Sequence, residues 1–351
     1  MQMCLLNFKK ATIFNNNLRS GHSSVVERLV ANEKVEGSTP FARSIIIVIK
    51  SKYITLIFQR FLYNRDIQLL KKNFIYYLIF RIIRRLLTQD LIIQVYNFKV
   101  FGSINKNKTS YFLLKKCEFG DYHELNTIKR FSKKSNLLLL DVGCNYGFYS
   151  FYAASLKSQN KIISLEASKK TSEEFKRNMK LNKFKNIYFM NRAVSNFDDV
   201  DIKFNESIND WESSQAHSNF EIKKINKIKS ITIDTILKKY DLNNHRILIK
   251  LDIEGNEMNA LQGSLNTIKK FSPLIIIEFS KFIFNDKNKI NYLKNFLLNN
   301  DYSIFDTKNN KKNLDEVLIQ LNNLRDKHQT IGNFYLIKNF SESLNTFLSY
   351  E

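Results

Sequence analysis

Asp141, Gly143, Asn145 and Gly147 fall within the run Asp-Val-Gly-Cys-Asn-Tyr-Gly, directly after the apolar stretch Leu137–Leu140. A carboxylate, Glu166, closes the next apolar stretch, Lys161–Glu166. An unbroken apolar run is the pattern of a strand buried on both faces. Two glycines behind it let the chain reverse sharply and let a ligand approach the backbone. Phe148–Leu156 is apolar and aromatic enough to be the helix that packs back on the sheet, with its amino-terminal N–H groups offered to that ligand. An acid about 20 residues beyond such a turn lies where a ribose diol is held. Each charge-assisted hydrogen bond to the diol contributes about 1.5–3 kcal/mol. The glycine spacing is Gly-x-x-x-Gly, with Asn145 where a dinucleotide site needs a glycine to admit a pyrophosphate. The pattern therefore favours a nucleotide without phosphates, such as S-adenosylmethionine, over NAD.

A second cluster of charge stands in Arg246-Ile-Leu-Ile-Lys-Leu-Asp-Ile-Glu-Gly-Asn-Glu257. Lys250, Asp252 and Glu254 alternate along a strand whose other residues are apolar, so they project to one face near its carboxyl end. Buried charges are costly unless paired or used, and open α/β sheets bind ligands outside the carboxyl ends of their strands. The alternative is an ion pair between Lys250 and Glu254 that only fixes the strand. Beyond residue 50 the chain has seven glycines, and four of them (Gly143, Gly147, Gly255 and Gly263) lie in or just after these two motifs.

Taken together, Asp-Val-Gly-x-Asn-x-Gly, the acid after the second strand, Asn191-Arg-Ala-Val-Ser195, Ile231-Thr-Ile-Asp-Thr-Ile-Leu237 and Ile249-Lys-Leu-Asp-Ile-Glu-Gly-x-Glu257 resemble the FkbM family of S-adenosylmethionine-dependent methyltransferases. The resemblance covers roughly residues 115–340. It departs at Cys144, where alanine is usual, and at Ala167, where proline commonly follows the acid. The resemblance implies that Asp141, Gly143, Asn145 and Gly147 cradle the methionine half of the cofactor and that Glu166 takes its ribose. Asn191 and Ala193 would flank the adenine, although Asn191 reads equally as a turn residue at a strand end. Asp252, with Lys250 and Glu254 beside it, is the catalytic candidate that the resemblance implies. It would act as general base toward a hydroxyl, as a metal ligand, or as partner of the cofactor's ammonium group.

Strands are expected at Leu137–Val142, Ile162–Glu166, Ile187–Met190, Ile247–Ile253 and Leu274–Phe279, with helices between them and a closing antiparallel pair at Tyr302–Asp306 and Asn333–Ile337. This predicts an α/β fold, a Rossmann-like doubly wound class I methyltransferase sheet, over residues 116–351. Val200–Asn226, with Trp211, Ser213, Ser214 and His217, interrupts the alternation. It reads either as a loop that recognises the acceptor or as an ordinary surface hairpin.

Residues 1–60 are expected to be a leader with no evolved fold, because Gly21–Arg28 and Glu36–Ser44 resemble translation of a transfer-RNA gene. Residues 61–115 are expected to form a helical cap. No apolar run there approaches the roughly 20 residues needed to span a bilayer. Arg81-Ile-Ile-Arg-Arg-Leu-Leu is read as an amphipathic helix of that cap in preference to a membrane-surface segment.

The formal net charge is +22. Residues 1–100 hold 16 basic against 5 acidic residues and the remainder 39 against 28, which is +11 in each part. A surplus so diffuse argues against nucleic-acid binding, which needs a focused patch. Cys4, Cys117 and Cys144 show no Cys-x-x-Cys spacing, so neither a zinc site nor a disulfide framework is expected and a reduced, cytoplasmic setting fits. His123 and His217 sit in no motif. The sequence is thus read as an O-methyltransferase using S-adenosylmethionine, without a resident metal, acting on a hydroxyl of a sugar, a polysaccharide precursor or another small metabolite. A NAD-dependent oxidoreductase and a non-catalytic Rossmann-like binding module are the alternatives.

Overall fold

The computed structural model describes residues 45–48, 91–102, 121–207, 222–281, 286–324 and 330–349. All of them lie in the unit Ile45–Glu351, one of the two into which the chain divides. Three short strands come first: β1 (Ile45–Val48), β2 (Leu91–Val95) and β3 (Phe98–Gly102). Helix α1 (Tyr122–Lys134) then leads into β4 (Asn136–Val142), α2 (Phe148–Leu156), β5 (Lys161–Leu165), α3 (Lys169–Asn182) and β6 (Ile187–Met190). Strands β7 (Ala193–Val194), β8 (Asp201–Ser207) and β9 (Ile222–Ile231) follow, then α4 (Ile233–Leu237) and β10 (His245–Leu251). Next come α5 (Glu257–Gln262), α6 (Leu265–Phe271), β11 (Leu274–Ser280) and α7 (Lys287–Asn300). The last elements are β12 (Tyr302–Phe305), β13 (Lys311–Lys312), α8 (Leu314–Asn322), β14 (Thr330–Lys338) and α9 (Glu342–Leu348).

One eight-stranded sheet, ordered β13-β12-β14-β11-β10-β4-β5-β6, carries the fold. Its five apolar runs, β4, β5, β6, β10 and β11, are parallel to one another. β14 closes the sheet antiparallel to β11 and to β12. The order reverses between β4 and β10, so their carboxyl ends open a crevice at the centre of the sheet. Along β4 the side chains alternate between two apolar layers, as a pleated strand requires. Leu137 and Leu139 join α1, α2 and α3 on one face, while Leu138 and Leu140 join α4 to α8 on the other. All four leucines are fully buried, each contributing about 1.5–3 kcal/mol. The expected doubly wound sheet and its antiparallel closing pair are therefore present.

The expected helical cap over 61–115 requires correction where it is described, because residues 91–102 form a β-hairpin. Leu-Ile-Ile-Gln-Val and Phe-Lys-Val-Phe-Gly are rich in β-branched and aromatic residues. They are joined through Tyr96 and Asn97, with Tyr96 at φ 48°, and the Gln94 amide donates to the carbonyls of Tyr96 and Phe98. β1, inside the stretch read as a leader, pairs antiparallel with β2. The outer edge of β3 is occupied by side chains of α3. Asn178 Oδ1 accepts from Phe101 N at 2.7 Å, and Asn182 exchanges two hydrogen bonds with the backbone of Lys99, both at 2.6 Å.

In the interrupting segment, β8 and β9 pair antiparallel as a ribbon, and β9 joins β7 in parallel. Trp211, Ser213, Ser214 and His217, proposed for acceptor recognition, lie outside the described residues, as do Cys4, Cys117 and Arg81–Leu87. Among the described residues no helix is long and apolar enough to cross a membrane.

Candidate active site

The turn after β4 is built around two left-handed glycines and a left-handed asparagine: Gly143 at φ 77°, Asn145 at 49° and Gly147 at 91°. The amides of Gly143 and Cys144 both donate to the carbonyl of Leu165 at the end of β5, at 2.9 and 3.0 Å. A methyl group on Gly143 would lie 1.9 Å from the carbonyl oxygen of Asp252. One on Gly147 would lie 2.5 Å from the ring of Phe151 and 2.7 Å from that of Phe175. Each glycine is thus required by protein packed against it, namely the chain just past β10 and the rings of Phe151 on α2 and Phe175 on α3. The close approach the sequence reserved for a ligand is made by the chain itself.

Glu166 is the clasp of this corner. Its Oε2 accepts from Asn145 N at 3.0 Å and its Oε1 from Ser168 N at 2.8 Å. The carboxylate therefore ties the glycine turn to the start of α3, where the Ser168 side chain caps Thr171 N. Burial pushes the Glu166 carboxyl up to about 7, against the pull of the two backbone amides. Asn191 lies behind it. Its amide donates to the carbonyls of Glu166 and Ala167 and to the Ser172 hydroxyl, so it holds the strand ends together.

The second turn follows β10. Lys250 is 4 % exposed, and its ammonium donates to Asp252 Oδ2 at 2.7 Å and lies 4.7 Å from the centre of the Tyr149 ring. Its ion-pair partner is thus Asp252, not Glu254. Burial pulls the Lys250 pKa down, but Asp252 and Asp141 more than offset this and hold it above the usual lysine value. Glu254 and Gly255 take left-handed conformations at φ 52° and 101°. The Glu257 carboxylate closes the loop by accepting from Ile253 N at 3.0 Å and from Gly255 N at 2.9 Å. The Asn256 amide donates to Val194 O, tying the loop to β7.

Between the two turns lies a cavity of roughly 320 Å³, within the range typical of small-molecule sites. Gly143, Asn145, Glu166, Ala193, Asp252 and Glu254 all line it. Asn145 Oδ1 is buried there without a hydrogen-bond partner. Asp141, Gly147, Lys250 and Asn191 do not line it. Asp141 is 1 % exposed; its Oδ2 accepts from the Ser150 hydroxyl at 2.6 Å, and burial raises its pKa against the attraction of Lys250.

The sequence reading did not single out Arg192, Thr171, Asn256 or Glu278, all of which also line the cavity. Glu278 was legible, since it is the one charge in the apolar strand Leu-Ile-Ile-Ile-Glu-Phe-Ser. It presents a carboxylate oxygen within 4.8 Å of oxygens of both Asp252 and Glu254, a spacing at which three acids could surround one cation. Burial, and then Asp252, push its carboxyl up to about 8. His123 is exposed on α1, and His217 lies outside the described residues.

Residues 141–304 match the family model described as the methyltransferase FkbM domain. Among solved structures, the methyltransferase FkbM of Methylobacillus flagellatus KT is 17% identical, with 65% of this chain and 54% of that one covered and a TM-score of 0.36. TYW2 of M. jannaschii, solved in complex with AdoMet, is 13% identical over 71% of this chain and 86% of that one, at a TM-score of 0.34. A SAM-dependent O-methyltransferase from Thermotoga maritima is 8% identical over 63% and 65%, at 0.32. The chain spans about half the length of the first of these. No curated protein matches it. Both turns that enclose the cavity, and the strand that brings Glu278 to it, fall inside the segment that is similar to the methyltransferase FkbM domain.

Proposed function

We propose that the protein is an O-methyltransferase that binds S-adenosylmethionine in this cavity and methylates a hydroxyl of a sugar, a polysaccharide precursor or another small metabolite. The observation that carries the reading is the placement of two acids on one cavity wall, Glu166 at the corner after β5 and Asp252 at the end of β10. Each Glu166 oxygen accepts one backbone N–H, and a carboxylate oxygen has two lone pairs, so the group retains acceptor capacity for a ribose diol. Asn145 Oδ1, buried and without a partner, supplies an acceptor for the ammonium of the methionine half. Ala193, Val194 and Ile253 add apolar wall suited to the adenine. These residues fit the group.

Bound there, S-adenosylmethionine supplies a methyl group on a sulfonium, an electrophile that needs no covalent protein intermediate. The work left to the chain is positioning, which contributes up to about 7–11 kcal/mol in favourable cases, and removal of the acceptor's proton. Lys250 beneath Asp252 fixes that carboxylate at the cavity wall, where it faces positive charge without leaving the sheet.

Calorimetric titration of S-adenosylmethionine into the full chain tests the reading. Binding is expected, with Glu166→Ala weakening it at least tenfold, since one charge-assisted hydrogen bond of about 1.5–3 kcal/mol is lost. Stabilisation of the protein by NADH and not by S-adenosylmethionine would overturn the reading in favour of an oxidoreductase.

A further inference from the structure

We propose that Glu278 is a catalytic residue of this cavity and takes the proton of the acceptor hydroxyl, while Asp252, engaged by Lys250, faces the positive charge of the donor. The inference rests on the methyltransferase reading above. Its ground is the geometry of the wall. β11 runs parallel to β10, which pairs Lys250 with Ile276 and Leu251 with Ile277, so the next residues of the two strands, Asp252 and Glu278, emerge together at the carboxyl end. Both line the cavity, and their carboxylate oxygens lie within 4.8 Å of each other and of Glu254.

The two acids are not equivalent. Asp252 accepts from the Lys250 ammonium at 2.7 Å, so one of its oxygens is already engaged by a cation. Glu278 faces acids in greater number: Asp252 and Glu254 in the turn after β10, and Glu257 at the start of α5, against the single cation Lys250. From β14 it meets Thr330, with Asn333 in register opposite. Lys289 is turned to the carbonyl of Gly255, Lys281 to that of Leu324, and Arg192 to Asp199. Burial and this surplus of acids push Glu278 up to about 8, near the working pH at which a general base is most effective.

In the transfer, the hydroxyl oxygen of the acceptor forms a bond to the methyl carbon, and the carbon–sulfur bond breaks with its electron pair left on sulfur. The sulfonium becomes a neutral thioether and the hydroxyl proton passes to the Glu278 carboxylate. Glu278 must therefore be ionised when the donor is bound. In the free protein at pH 7 it holds its proton, and a cation entering the cavity expels that proton.

Calorimetry of S-adenosylmethionine binding to the full chain at pH 7, repeated in phosphate and in Tris, counts the protons released. The wild type is expected to release roughly one proton more than Glu278→Gln, and Glu278→Gln, which lacks the charge that gains from the donor, is expected to bind about tenfold more weakly. Binding by both proteins with equal proton release overturns the assignment and leaves the methyltransferase reading standing, whereas no binding by the wild type overturns both. Should Glu278→Gln fail to fold, carboxyl-carbon NMR of the wild type decides. A carboxyl titrating near pH 8 that drops below 7 with S-adenosylmethionine supports the proposal, and its absence refutes it. Magnesium binding by the ligand-free wild type that Glu278→Gln abolishes also refutes it, because the three acids would then serve to hold a cation.

Discussion

Replacing Lys250 with methionine keeps the volume of the side chain and removes its charge, which separates two debts the ammonium settles. One is Asp252, whose side chain is 37 % exposed; water can replace the lost partner there, so this loss is small, as for surface pairs at about 0–1 kcal/mol. The other is Asp141, 1 % exposed, with one oxygen on Ser150 and the other without a hydrogen bond. Asp141 makes no ion pair with Lys250 but is attracted by its charge, and leaving a buried charge uncompensated costs up to about 3–5 kcal/mol. Asp141 can limit the loss by taking up a proton, so about 2–4 kcal/mol is expected for Lys250→Met near pH 8. Burial already raises the Asp141 pKa in the folded protein, and Lys250 restrains that rise. Without Lys250 the folded state binds this proton more tightly still, so the variant's deficit should shrink as pH falls from 8 to 5. Urea denaturation of single and double variants measures both effects. Asp141→Asn in the Lys250→Met background should recover more stability than Asp252→Asn does. A deficit below about 1 kcal/mol, or the larger recovery from Asp252→Asn, would refute the view that loss of the ammonium is felt chiefly by the buried Asp141.

Three further outcomes are expected. Gly143→Ala combines a left-handed φ of 77° with an overlap at 1.9 Å from the Asp252 carbonyl; strain of about 1–2 kcal/mol plus overpacking of about 1–3 kcal/mol should appear in thermal melts, and a change under 1 kcal/mol would contradict the packing described. Asn178→Ala removes the side chain that accepts from Phe101 N and donates to Tyr146 O, so hydrogen exchange should speed at residues 98–102 while β4 and β5 stay protected. Glu166 and Glu257 titrate at about 7 and Glu278 at about 8, all raised by burial. Folded protein then holds protons that the unfolded chain has released, so stability should fall as pH rises from about 4.5 to 8, by at most about 3 kcal/mol for a buried group such as Glu257; a rise across that window would show that these acids are solvated.

The sheet was legible because its strands bury both faces. Runs such as Leu137–Leu140 and Leu274–Ile277 have no other environment to go to, and the ends of their strands fall within a residue or two of the expected places. Asp252 and Glu166 were legible for the converse reason, as charges at the ends of such runs that reach one cavity. The same argument applied to Leu274–Ser280 would have found Glu278. What the sequence hid was the direction of service. Gly147 answers to Phe151 and Phe175, Asn191 to the backbone of Glu166, and Glu257 to its own loop, and no local pattern of residue types encodes these pairings. The β2–β3 hairpin was missed because its apolar, basic surroundings read as helix, while its fixing partners sit on α3, with 77 and 83 residues between bonded atoms.

Those asparagines have a wider effect. An outermost strand usually offers its free amides and carbonyls to any extended peptide that drifts past, which is how sheets grow from one molecule into the next. By lending amide groups in place of a neighbouring strand, α3 occupies that rim at Lys99 and Phe101. Recruitment of a foreign strand there would first have to prise away a helix whose Phe175 is buried in the domain's core.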